Sequence, residues 1–114
     1  MRYDQSQERK LALINCNKLI RDRIPEIIKA NRQTPIIYIA NDNLYYSKLL
    51  EELVEETREY LQSHNPEELI DILEVIYAIA KTKNLTKEDL ERLRLEKIIE
   101  RGSFDNKMIL ERIE

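Results

Sequence analysis

Two pairs of acids, each three residues apart, are the part of the chain best suited to chemistry: Glu52 with Glu55, and Glu68 with Asp71. On a helix, residues at i and i+3 lie about 5 to 6 Å apart on one face, so each pair can turn its oxygens toward a single cation. Hard oxygen ligands with no histidine partner suit Mg²⁺ or Mn²⁺, whereas zinc would recruit nitrogen or sulfur. Two such helices facing each other would gather a cluster of two or three ions able to grip a polyphosphate.

The two pairs differ in how much they say. The ExxE spacing recurs at Glu56/Glu59, Glu88/Glu91 and Glu111/Glu114, so taken alone the acids of residues 51–59 read equally well as a solvated face opposite a core stripe. ExxD occurs once, inside PEELIDILEVIYAIAK at 66–81, where apolar residues cover nearly every face and predict a largely buried helix. Glu68, Asp71 and Val75 point in roughly the same direction there, which lodges Asp71 among apolar neighbours. An unpaired buried charge costs several kcal/mol, so Asp71 needs a basic partner, a hydrogen-bond network or a cation. Two ordinary roles compete: a helix-dipole or capping role for Glu68, and a buried salt bridge to an arginine for Asp71.

The basic counterpart is Lys97 with Arg101, at i and i+4 near the end of the last helix, a placement that also suits an ordinary exposed C-terminal turn. His64, the sole histidine, falls in the loop between the acidic helices and reads as a polar loop residue rather than a base. Cys16, the sole cysteine, cannot form an intramolecular disulfide and reads as packing rather than as a nucleophile.

The elements that must position these residues are helical. Pro25 suits the first turn of a short helix running toward Asn31. Residues 34–40 (TPIIYIA) are β-branched and aromatic and favour an extended segment, lying along the bundle or pairing with a copy. Asp42 can cap a long helix to about Ser63, with Tyr46, Leu50, Leu53, Val54, Thr57 and Leu61 on one stripe and Glu52, Glu55, Glu56 and Glu59 opposite. Asn65 as N-cap and Pro66 at the first helical position start the next helix, which runs to about Lys81. Thr86 with Asp89 opens the last, and Gly102 stops it. The links are short, which favours antiparallel neighbours in a single all-α bundle over 17–114, preceded by a polar arm at 1–16.

Composition narrows the class further. Charged residues make up 36% of the 114, but 19 basic against 22 acidic leave a net charge of only −3, with no basic footprint for nucleic acid. The N-terminus lacks an apolar signal core and no stretch approaches a membrane span, so no membrane is expected and a reduced, cytoplasmic setting is. A single glycine and three prolines are too little punctuation for a barrel or sandwich of many tight turns.

With EELVEE at 51–56 followed after a short gap by EELIDILEV at 67–75, the chain resembles the all-α nucleoside triphosphate pyrophosphohydrolase superfamily, the group of MazG, phosphoribosyl-ATP pyrophosphohydrolase and the dimeric dUTPases. NKLIRDRIPEII at 17–28 and KIIERGSF at 97–104 are similar to the small stand-alone phosphoribosyl-ATP pyrophosphohydrolase-like subgroup, which extends the resemblance over residues 17–110. It implies a MazG-like bundle in which Glu52, Glu55, Glu68 and Asp71 bind Mg²⁺ and Glu51 or Glu56 orients the attacking water. Lys97 and Arg101, helped by Lys18, Arg21 and Arg23, would contact the phosphates of a nucleotide substrate. The implied reaction is Mg-dependent hydrolysis to a monophosphate and pyrophosphate, with phosphoribosyl-ATP as an alternative substrate and a homodimer or homotetramer as the assembly. Ile70 departs from the small residue the family often places between Glu and Asp, and residues 1–16 have no counterpart. A helical oligomerisation or regulatory module without turnover is the non-enzymatic alternative.

Overall fold

Residues 17–114, the part of the chain that the computed structural model describes, contain four helices and no strand. The arm at 1–16, with Cys16, lies outside them. The helices are α1 (Ile24–Ala30), α2 (Asp42–Ser63), α3 (Pro66–Thr82) and α4 (Lys87–Arg101), an all-α fold.

Local chemistry sets most of the boundaries. Pro25 takes the first turn of α1, where its missing N–H leaves no bond unmade. The cap of α2 is Asn41, whose side chain accepts from the Leu44 N–H at 2.9 Å; Asp42, the expected cap, is the first helical residue and sits in the positive end of the dipole. Asn65 caps α3 by accepting from the Glu67 N–H at 3.0 Å. Thr86 and Asp89 form a reciprocal capping box with bonds of 3.0 and 2.9 Å. At the end of α3, Asn84 turns left-handed (φ 61°), so that Leu85 N–H reaches Ala80 O at 3.0 Å and Asn84 N–H reaches Lys81 O at 3.1 Å, a Schellman closure. Gly102, with φ 83°, ends α4.

The two-residue link of His64 and Asn65 folds α2 and α3 into an antiparallel hairpin, the main packed unit. His64 adopts φ 56°, and its N–H closes α2 on Tyr60 O at 2.8 Å. At the other end the Lys83 ammonium stands 4.7 Å from the Tyr46 ring centroid.

The inward faces are not the apolar stripes. On α2 the face turned inward runs through Leu49, Leu53, Glu56 and Tyr60, with Glu52 beside it, while Leu50, Val54 and Leu61 are exposed. That is roughly a quarter turn from the stripe that periodicity selects, at about 100° per residue. On α3, Glu68, Asp71, Ile72, Val75 and Ile79 are partly covered, whereas Leu69, Ile70, Leu73 and Ile76 are exposed, so the expectation of a largely buried helix fails within one chain. Residues 34–40 are neither helix nor strand, and Ile36 and Ile39 there are 91% and 89% exposed, so the segment does not bury itself along the bundle.

Among the described residues only Ile24, Leu49 and Ala80 are buried, and none of them completely. The radius of gyration is 18.0 Å, against about 13 Å for a compact chain of this length. So small a core cannot by itself offset the conformational entropy of ordering about a hundred residues. Among the described residues no helix is long and apolar enough to cross a membrane.

Candidate functional site

The hairpin seam is acidic. Glu56 from the inward face of α2 meets Glu68 and Asp71 from the facing side of α3, each offering a carboxylate oxygen within 4.8 Å of the other two, and all three are half-buried. Glu68 and Asp71 share a face because they are three apart. Glu56 joins them because α2 turns its Leu49–Leu53–Glu56–Tyr60 side inward.

Two cations reach these helices from the segment preceding α1. Lys18 Nζ lies 2.7 Å from Glu55 Oε1 and 3.4 Å from Glu52 Oε1, bridging the first acid pair. Arg21 Nη1 donates to Asp71 Oδ1 at 3.1 Å. The arginine salt bridge considered for Asp71 is therefore present, and it joins residues fifty positions apart.

The electrostatics mark Glu56. Burial is the main reason its carboxyl is pushed up to about 8, and the negative charges of Glu59, Asp71, Glu52 and Glu68 add to the effect. Its Oε2 is buried with no hydrogen-bond partner. The Glu52 carboxyl is also raised, chiefly by burial, although the Lys18 ammonium opposes the shift. A half-buried carboxyl with an orphaned oxygen beside two more acids is unfavourable to keep charged without a counter-ion.

The remaining sequence candidates are placed as follows. Glu51 is exposed and pairs with Lys48 at 3.2 Å, away from the three converging acids. Arg23 is exposed and turned to Glu26, at 3.0 Å. Lys97 and Arg101 are exposed on α4; Arg101 lies 3.7 Å from Glu100, and no ion pair among the described residues joins either to the seam. His64 serves as the left-handed end of α2.

The resemblance implies a water-orienting role for Glu51 or Glu56; the structure brings Glu56 together with Glu68 and Asp71. The signal that could have found it is the i, i+4, i+7, i+11 series of Leu49, Leu53, Glu56 and Tyr60. Arg58 was also passed over; it lies with Glu51, Val54, Glu55, Glu59 and Gln62 along a shallow groove of about 600 Å³ on α2.

The donor set fits a hard divalent cation. Three carboxylates with no sulfur or imidazole are the donor type that Mg²⁺ or Mn²⁺ takes, and ligand oxygens about 2.1 Å from such an ion would lie within about 4.2 Å of one another, a modest contraction of the present cluster. Such an ion would give the buried Glu56 Oε2 the partner it lacks.

An uncharacterized protein of Mycolicibacterium smegmatis is 45% identical over 42 residues, a stretch that covers 37% of this chain and 43% of that protein's length. No family model matches the chain, and no solved structure matches it.

Proposed function

We propose that the chain is a nucleotide pyrophosphohydrolase: it hydrolyses a nucleoside triphosphate, or a related nucleotide such as phosphoribosyl-ATP, to a monophosphate and pyrophosphate with Mg²⁺ held between α2 and α3. The observation that carries this reading is the convergence of Glu56, Glu68 and Asp71 from two helices, with one Glu56 oxygen buried and unpartnered. The resemblance of residues 17–110 to the all-α pyrophosphohydrolases supports it further.

When bound, Mg²⁺ would neutralise phosphate oxygens and lower the pKa of a bound water. Glu56, Glu68 and Asp71 would hold the ion, and Glu52 and Glu55 extend the acidic surface toward a second. Glu52, its proton affinity raised by burial, is suited to take the proton of the attacking water as that oxygen bonds to the α-phosphorus and the bond to pyrophosphate breaks. Lys18 and Arg21, already at the seam, would meet the phosphates; Lys97 and Arg101 would do so if a second copy brings α4 to it.

A homodimer or homotetramer follows from the same physics. Leu50, Val54 and Leu61 of α2 and Leu69, Ile70, Leu73 and Ile76 of α3 are exposed, while three apolar side chains are buried among the described residues, and soluble proteins rarely leave so large an apolar surface open. A cytoplasmic setting supplies the Mg²⁺.

One observation favours a second reading, a non-enzymatic helical module. Lys18 and Arg21 already compensate Glu52, Glu55 and Asp71, so the acids can be satisfied without an ion.

Release of pyrophosphate from a panel of ribo- and deoxyribonucleoside triphosphates and phosphoribosyl-ATP, with and without Mg²⁺, distinguishes the two. Mg²⁺-dependent turnover that Asp71→Asn removes is the expected result. Silence of a folded, assembled protein across the panel would favour the module.

A further inference from the structure

Residues 17–23 stand outside the hairpin, yet the charged ends of two of them sit on its acids. We propose that this segment is a displaceable counter-ion strap: without a divalent cation it neutralises the seam, and cation binding drives Lys18 and Arg21 off the carboxylates and toward the phosphates of the substrate. The proposal rests on the metal-site reading above and adds its regulation.

Three observations carry it. The strap holds acids from both faces of the site, since Lys18 Nζ is 2.7 Å from Glu55 Oε1 and 3.4 Å from Glu52 Oε1 on α2, while Arg21 Nη1 is 3.1 Å from Asp71 Oδ1 on α3. Asp71 is also one of the three converging acids, so a cation held there would stand a few ångströms from the Arg21 guanidinium and weaken its ion pair, and an ion drawn to Glu52 and Glu55 would do the same to Lys18. Second, the strap already brings two positive charges to Glu52, Glu55 and Asp71, so these acids are partly neutralised without an ion. Third, the segment can move without breaking a helix. Regular structure begins only at Ile24, which is itself buried; the strap is tied to α1 where the Arg21 and Arg23 carbonyls accept from the Ile24 and Ile27 N–H groups at 3.0 and 3.2 Å, and residues 17–20 precede those bonds.

A phosphate-bearing substrate gives the released cations a new partner, so the strap opposes the metal alone and favours metal with polyphosphate. The experiment is a calorimetric titration of Mn²⁺, and then of pyrophosphate onto the Mn²⁺-loaded protein, for wild type, Lys18→Met/Arg21→Met and Glu56→Gln/Asp71→Asn. The strap predicts opposite signs in the first variant: about tenfold tighter Mn²⁺ and about tenfold weaker pyrophosphate. A second readout uses the unaltered chain and stands even if that variant does not fold. Trypsin cleavage after Lys18 and Arg21, followed by mass spectrometry, should accelerate when Mg²⁺ binds and be insensitive to Mg²⁺ in Glu56→Gln/Asp71→Asn. Mn²⁺ binding with unchanged or slowed cleavage, or no tighter in the strap variant, would overturn the strap and leave the metal site standing. Absence of Mn²⁺ binding to wild type would overturn both.

Discussion

Inside the hairpin, Glu52, Glu56, Glu68 and Asp71 share the seam with Leu49, Leu53, Ile72 and Val75; on the outside of the same two helices, Leu50, Val54, Leu69, Ile70, Leu73 and Ile76 lie open. A hairpin built only for stability would exchange these two faces. Carboxylates at the seam raise one another's proton affinity and leave one oxygen orphaned, while the apolar groups that could drive packing point away. The difference teaches that the seam is not arranged for stability alone, and that the outer face of the single chain leaves its apolar groups open, as the proposed assembly would use.

The sharpest way to break this comparison is Glu56→Gln. A ligand lost from a metal cluster should lower Mg²⁺-dependent turnover by about a hundredfold or more. The same change removes the cost of protonating a half-buried carboxyl on folding while keeping shape, so the metal-free protein should melt higher, by about 5 °C. Activity and melting that fall together would instead make Glu56 an ordinary structural residue.

The outer face is probed by Leu73→Glu. If a second copy packs on this face, as proposed, the charge should dissociate the assembly in sedimentation and lower its melting point by several degrees; on a surface facing only water the change would stay within about 0.5 kcal/mol.

What was legible in the sequence follows the range of the forces involved. Caps act over three residues, and Asn65, Thr86 with Asp89, Pro25 and Gly102 are read correctly from their neighbours alone. Asp71's need for a partner was legible too, because burial of a charge demands one. The orientation of α2 was not, since periodicity finds the apolar stripe but assumes that it faces the same chain's core. Lys18 and Arg21 could not be placed on the acids from sequence, because those pairs span 37 and 50 residues. The role of Glu56 depended on that orientation.

A smaller effect tests the seam's charge through pH. The Glu56 carboxyl sits at about 8 in the folded chain against 4.5 for an ordinary glutamate. Between those values the folded state holds more protons than the unfolded one, so stability in chelator should fall as pH rises from about 4.5 to about 8 and then level off. Mg²⁺ should flatten this slope, since the ion binds the deprotonated cluster. Melting curves in chelator that are flat or rise through this window would contradict the raised carboxyl.

The smallest effect lies away from both faces. Thr86→Ala removes half of the capping box that opens α4 and should cost about 1 kcal/mol, read as a lowered urea midpoint, with no change in metal binding.

The most direct measurement is the electron paramagnetic resonance signal of Mn²⁺ titrated into the assembled protein and into Glu56→Gln/Asp71→Asn. A metal centre at the seam predicts saturable loss of the free-ion signal in wild type and none in the double variant at the same concentrations. Wild type that leaves Mn²⁺ free, or a double variant that binds it equally well, would contradict a cation site built from Glu56, Glu68 and Asp71.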